Sequence, residues 1–345
     1  MAVKRHGKDN RLPVCISCAE SYPMPENLRC SQNDDPFCWQ QILTQTISPE
    51  KTVLYLTQSI HDKMKRLLLL YASIVWFVPA FSQLHCSDES MQRLQRELTH
   101  LQAQDFSGMS QGEIMAIIGK DFLGTPYVGK TLEIEGEPLV INLTGLDCTT
   151  FLENAVVLSR LSHQGRLNQQ AFYEELQNLR YRSGNRNGYL SRLHYFSDWI
   201  VENEQKGLIT QVSEELGGSP WQREINFMTE HADLYEYLDG EDMVSDLSEV
   251  EKRLSSTGFH YLPKEELADL EGGIQDGDLI AITTSVNGLD IAHVGFAIRV
   301  EGRIHLFHAS SSLKKVMISD EPLADYLAGN RTQTGIMVCR LVEAS

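Results

Sequence analysis

The chain has 345 residues, 42% of them hydrophobic, which is enough for one large or two modest globular domains. Its formal net charge of -17 argues against nucleic acid or an anionic membrane surface as partner, since both are bound through basic patches that displace counterions.

The first informative segment runs from Met64 to Ser82. Lys65 and Arg66 precede a nearly unbroken apolar run from Leu67 to Val78, and Pro79-Ala80-Phe81-Ser82 follows with small residues where a signal peptidase reads. An export signal is therefore expected over residues 64–82. The apolar run falls short of the roughly 20 residues that span a bilayer, so no stable membrane insertion is expected. Residues 1–63 have neither helix nor strand period and contain Cys15, Cys18, Cys30 and Cys38. Two readings compete there. One is a zinc site opened by Cys15-x-x-Cys18, against which the wide spacing of the second pair counts. The other is a disordered leader upstream of a true start at Met64, which also explains an internal export signal. Past the signal only Cys86, Cys148 and Cys339 remain, too few for a disulfide scaffold, with Cys86 and Cys339 either paired or buried.

From 83 to 121 the spacing predicts a helical segment. Met91, Leu94, Leu98 and Leu101 recur at helical intervals, and Ser110 opens a second helix through Ile114, Ile117 and Ile118. Gly124 and Pro126 then break the pattern and put Tyr127 on a loop, where a phenol bonded to backbone is the plain alternative to a functional one. Val140 to Leu143 reads as a short strand. It leads into Gly145-Leu146-Asp147-Cys148-Thr149-Thr150-Phe151, a turn and a capping Asp before a helix with Phe151, Ala155, Leu158 and Leu161 at helical spacing. Cys148 thus falls in the first helical turn, where unpaired amides and the helix dipole favour thiolate over thiol; the alternative is an inert buried cysteine.

Phe172, Leu176 and Leu179 continue a helical pattern to Arg180. A Gly/Asn-rich loop from Ser183 to Gly188 delivers Tyr189-Leu190-Ser191-Arg192-Leu193-His194-Tyr195-Phe196, a mixture of polar groups and aromatics that suits a ligand wall, with surface ion pairs of Arg192 and His194 as the alternative. Trp199 begins a short element, 208–213 reads as a strand, Ile225 to Leu238 has helical apolar spacing, and Glu249 to Leu254 adds an amphipathic turn or two. The closing part is strand-rich: Gly277 to Thr283, a turn at Asn287-Gly288, clean alternation from Ile291 to Val300, a turn at Glu301-Gly302, and Ile304 to Ala309. The expected class is α+β, with a Cys-bearing helix on an antiparallel sheet.

Alternation puts Val294, Phe296, Ile298 and Val300 on one face of their strand and His293 with Gly295 and Ala297 on the other, away from the apolar core. If Glu301-Gly302 is a two-residue turn, Val300 pairs with Arg303 and His308 comes opposite Gly295, diagonal to His293. A three-residue turn reverses the parity and brings His305 to that face instead. Cys, His and a polar partner in this order form a papain-like set of nucleophile, base and orienting group.

Asp147-Cys148 opening a helix, His293-Val294-Gly295 on one strand and His308-Ala309-Ser310 on the next resemble the NlpC/P60 cysteine peptidases of bacterial cell walls. Phe122-Leu123-Gly124-Thr125-Pro126-Tyr127, Leu146 to Phe151, Ser191 to Phe196 and Gly288-Leu289-Asp290-Ile291-Ala292-His293 are similar to the DUF1460 branch, which contains N-acetylmuramoyl-L-alanine amidases. The resemblance covers most of residues 110 to 342 and implies an NlpC/P60 papain-like core with extra helices, the catalytic domain spanning 122–345. It also implies Cys148 as nucleophile, His293 as general base and His308 as the orienting residue in preference to His305. Tyr127 would lie near the scissile carbonyl and Asp147 beside the nucleophile, both as substrate-binding residues, with Ser191, Arg192 and His194 lining the substrate cleft. No metal or cofactor is implied. The implied substrates are peptidoglycan fragments cut between N-acetylmuramic acid and L-alanine, by a periplasmic or secreted bacterial protein. Cleavage between γ-D-Glu and the diamino acid, or cell-wall binding without turnover, are the competing functions.

Overall fold

Helix α1 (Asp88–Gln102) starts at Ser87, whose hydroxyl accepts the Ser90 amide at 3.1 Å, and its stripe of Leu94, Leu98 and Leu101 is buried. Helix α2 (Gln111–Asp121) opens with a reciprocal cap: Ser110 accepts the Glu113 amide and the Glu113 carboxylate accepts the Ser110 amide at 2.8 Å. These details come from a computed structural model that describes residues 84–343. The leader, its four cysteines and the export signal all lie outside the described residues.

Helix α3 (Cys148–His163) is buried along nearly its whole length, with α1, α2 and α4 (Gln169–Arg180) around it. Its anchor against the sheet is Phe151, whose ring lies 5.7 Å from Phe296 and 5.6 Å from Phe307. Full burial of one such ring contributes about 2–3 kcal/mol. Gly119 of α2 admits the same aromatic cluster, since a Cβ there would meet Phe296 at 2.6 Å. Among the described residues, the remaining α-helices are α5 (Phe196–Gln205), α6 (Phe227–Glu230), α7 (Glu241–Ser256), α8 (Leu267–Leu270) and α9 (Leu323–Ala328).

Strands β1 (Leu84–Cys86) and β2 (Leu139–Ile141) form a separate parallel pair. The main sheet contains β3 (Ile209–Gln211), β4 (Ser219–Trp221), β5 (Phe259–Pro263), β6 (Leu279–Thr284), β7 (Ile291–Val300), β8 (Arg303–Ser310), β9 (Lys315–Ile318) and β10 (Gln333–Leu341). Its order is β4-β5-β10-β6-β7-β8-β9, with β3 also on β10, and every pairing is antiparallel. The mixed α+β class expected from the sequence is what the chain adopts.

Four expectations need correction. The sheet is buried on both faces: Val294, Phe296 and Phe307 join the α3 core, while Ala297, Ile280, Ile282 and Leu306 form a second core under Leu323 and Leu327 of α9. The face that carries His293 is therefore apolar at its centre. Residues 225–238 are not one helix, because the Asn226 and Phe227 amides both donate to the Gly288 carbonyl and draw the chain onto the Asn287-Gly288 turn. The helix that follows starts earlier than its charge pattern suggested, at Glu241, and buries Leu247, Glu251 and Leu254. Cys86 and Cys339 are both free thiols, the latter buried in β10.

Candidate active site

Asp147 is the N-cap of α3. Its carboxylate accepts both the amide and the hydroxyl of Thr150 at 2.8 Å, and that hydroxyl accepts the Asp147 amide at 2.9 Å. This double cap fixes the start of the helix and leaves the half-buried Cys148 in its first turn. The amides of Val294 and Thr149 are directed at the sulfur and favour thiolate, but burial and the Asp147 carboxylate outweigh them and push the thiol up to about 11. The helix position alone does not ionise Cys148, contrary to the sequence-based expectation. Desolvation is the larger effect.

The β7–β8 hairpin closes through Glu301 (φ 51) and Gly302 (φ 87), a two-residue turn with both residues left-handed, and Val300 pairs with Arg303. The ladder runs to Phe296 opposite Phe307, which brings His308 beside Gly295. A Cβ on Gly295 would lie 2.5 Å from the Phe307 carbonyl and 3.0 Å from the His308 Cβ, so only glycine allows this approach. A register irregularity of β6 between Ile282 and Thr283 faces His293 and Ile291, and such bulges re-aim the side chains next to them. His293 Nε2 and His308 Nδ1 are 2.6 Å apart, with the rings nearly perpendicular at 87°. Burial holds His293 down to about 4; burial and the neighbouring His293 hold His308 down to about 3. His305 is elsewhere, its Nδ1 bonded to the Ser319 carbonyl at 2.8 Å.

Cys148 and His293 line one cavity of about 370 Å³, which also receives Asp147, Arg192 and His194. Arg192 is buried and spoken for: its Nη2 donates to Glu133 at 2.8 Å and its Nε pairs with Glu137 at 3.0 Å. His194 bonds the Tyr189 carbonyl at 2.8 Å, and burial together with Arg192 holds it down to about 3. Ser191 is not part of the cavity wall; its hydroxyl donates to the Gly188 carbonyl at 2.6 Å and accepts the Asn187 amide, closing a turn. Tyr127 also lies outside the wall. Burial and the nearby Cys148 and Asp147 push its phenol up to about 12.

Sequence reading missed several wall residues. Glu153 and Arg180 form a buried pair at 2.8 Å, and Arg180 also donates to the Val140 carbonyl at 2.7 Å. Asp290 is buried and accepts the Ser197 amide at 2.8 Å, joining the strand of His293 to the segment of His194. The available signal for Glu153 was its position on the Cys148 helix, five residues on; nothing local marked Arg180. Among the described residues no group of three or more His, Cys, Asp or Glu could hold a metal ion, and no helix is long and apolar enough to cross a membrane.

An antiparallel sheet with a thiol-bearing helix on one face and a histidine pair at the end of two strands is the frame on which the known relatives can be compared. The sequence pattern of the AmiA-like, N-acetylmuramoyl-L-alanine amidase-like family matches residues 117–336. The chain belongs to that family. A crystal structure of an N-acetylmuramoyl-L-alanine amidase from Bacteroides uniformis is 39% identical, covering 67% of this chain and 99% of its own, with a TM-score of 0.64. A Bacteroides fragilis protein proposed as a xylanase is 38% identical over 65% of this chain and 98% of its own, with a TM-score of 0.62. A DUF1460 protein from Legionella pneumophila shares the fold at 21% identity, covering 73% of this chain and 95% of its own, with a TM-score of 0.56. No curated protein matches the chain.

Proposed function

We propose that this protein is a thiol-dependent amidase that hydrolyses the bond between the lactyl group of N-acetylmuramic acid and L-alanine in peptidoglycan fragments, on an NlpC/P60 papain-like core. Cys148 is the nucleophile, His293 the general base and His308 the orienting residue. The observation that carries this reading is the 2.6 Å His293–His308 contact at the cavity that holds Cys148.

The tautomers follow from that contact. With His293 Nε2 engaged by His308, its Nδ1 is the nitrogen left to take a proton from Cys148. Both histidines are neutral near neutral pH, so His293 carries its proton on Nε2 and donates it to His308 Nδ1, which places the His308 proton on Nε2. The sulfur attacks the lactyl carbonyl carbon as its proton passes to His293 Nδ1, and the start of α3 supplies amides for the developing oxyanion. The C–N bond then breaks as His293 returns that proton to the L-alanine amine. Water, deprotonated by His293, cleaves the thioester to a carboxylic acid and the free thiol. Tyr127, pushed up to about 12, stays a neutral phenol throughout, able to donate a hydrogen bond near the reacting carbonyl. We further propose that the chain is exported through residues 64–82 to the periplasm or the medium.

The test is a muropeptide digest followed by mass spectrometry. Free disaccharide and intact stem peptide are expected, with no turnover by Cys148→Ala. A disaccharide that keeps L-Ala-D-Glu would overturn the amidase assignment in favour of stem cleavage, and binding with no turnover by the wild type would overturn enzymatic function altogether.

A further inference from the structure

We infer that Lys130 reads the free carboxylate of the stem peptide and so sets substrate preference, an inference that rests on the amidase reading above. The cavity wall holds three cations, Lys130, Arg180 and Arg192, against the carboxylates of Glu133, Asp147, Glu153, Glu236 and Asp290. Arg180 is bonded to Glu153, and Arg192 to Glu133 and Glu137. The positive charge of each guanidinium is thus already neutralised by a protein carboxylate, and moving it onto a substrate carboxylate would leave a buried acid unpaired, which is costly. Among the described residues, Lys130 is exposed on the wall and its side chain makes no hydrogen bond or ion pair. It is the available cation in an otherwise acidic site.

Its placement is built rather than loose. Lys130 sits in the left-handed region at φ 62, which lysine rarely adopts, and opens a turn in which the Glu133 amide donates to its carbonyl at 3.2 Å. Glu133 is held in turn by Arg192 at 2.8 Å and by the Tyr189 hydroxyl at 3.1 Å. Arg192, which the sequence suggested as a ligand for substrate, instead clamps the loop that presents Lys130. On the substrate side, a γ-linked glutamate after L-alanine leaves its α-carboxylate free, one residue beyond the scissile amide. On a wall where carboxylates outnumber cations and both arginines are already paired, Lys130 is the group left to attract that carboxylate.

The experiment compares two muramoyl peptides that differ at this one group: a free α-carboxylate on the γ-linked D-glutamate, or the corresponding carboxamide. The wild type is expected to favour the carboxylate about fivefold in kcat/KM, mainly through KM, the size of one exposed ion pair. Lys130→Gln is expected to bring the carboxylate substrate down to the carboxamide rate and leave the carboxamide rate unchanged, while Lys130→Arg keeps the preference. Equal rates on both substrates with the wild type, or an equal loss on both in Lys130→Gln, would overturn the assignment of Lys130 and leave the amidase intact. Cleavage beyond the D-glutamate would instead remove the amidase reading and this inference with it.

Discussion

Cys148 is held as a thiol in the resting protein, and the size of that effect can be measured. Burial and the Asp147 carboxylate push it up to about 11, against about 8.5 for an unperturbed cysteine. At about pH 7.5 the thiolate fraction is then roughly 300-fold lower than that of a free thiol. The more basic thiolate regains roughly tenfold in intrinsic nucleophilicity. Alkylation of Cys148 by iodoacetamide without substrate is therefore expected to be about 30-fold slower than that of a cysteine peptide. Titrating the ultraviolet absorbance of the thiolate, wild type against Cys148→Ala, reads the same quantity directly. His293→Ala is expected to leave the resting thiol unchanged, because burial holds His293 neutral and it offers the sulfur no opposite charge. Thiolate absorbance near neutral pH that disappears in His293→Ala would show a resting ion pair and refute the reasoning.

Three further outcomes are expected. Gly295→Ala forces a methyl to 2.5 Å from the Phe307 carbonyl and against the His308 Cβ, so urea unfolding should show a loss of about 1–3 kcal/mol with activity lost as β8 moves. Arg180→Met leaves Glu153 buried without its partner and should cost about 3–5 kcal/mol, with much of the loss recovered in the double variant Arg180→Met/Glu153→Leu. His308 has its folded pKa held down to about 3, below the ordinary value of 6.5. The unfolded chain therefore binds a proton that the folded chain refuses, and this histidine's effect on stability is absent above about pH 6.5 and grows destabilising as pH falls toward about 3. His308→Phe should flatten the acid side of the stability profile by up to about 1.4 kcal/mol per pH unit, as read by denaturant titrations across that window, while abolishing turnover.

The histidine geometry hung on one local feature that the sequence left open, the length of the Glu301-Gly302 turn. Glu301 and Gly302 both adopt positive φ, the two-residue turn follows, and the alternation then selects His308 over His305. The apolar pattern does not settle the register, because Ile304 and Leu306 fit a core in either one; they are buried on the face that α9 covers. Strand β10 went unread. Its run from Thr334 to Leu341 lies at the centre of the sheet between β5 and β6 and is buried on both sides, so it has no alternation to detect. Roles within Ser191 to His194 were equally beyond the sequence. Arg192 and Ser191 look like ligands in a polar aromatic octet, and only the fold brings up Glu133, Glu137 and the Gly188 carbonyl that use them.

One desolvated environment sets both partners of the proposed reaction. Burial that raises Cys148 to about 11 also lowers His293 to about 4, and the two changes oppose proton transfer from sulfur to imidazole by several kcal/mol. A free thiolate waiting for substrate is therefore the wrong picture. The proton has to leave sulfur as the bond to the carbonyl carbon forms, when negative charge passes from sulfur to an oxygen held by backbone amides and positive charge appears on an imidazole whose Nε2 proton is already shared with His308. His308 then matters most at that moment, because a neutral acceptor 2.6 Å away stabilises an imidazolium more than an imidazole. His308→Ala should consequently lower kcat with little change in KM, whereas loss of affinity alone would mean that this pair only shapes the cavity.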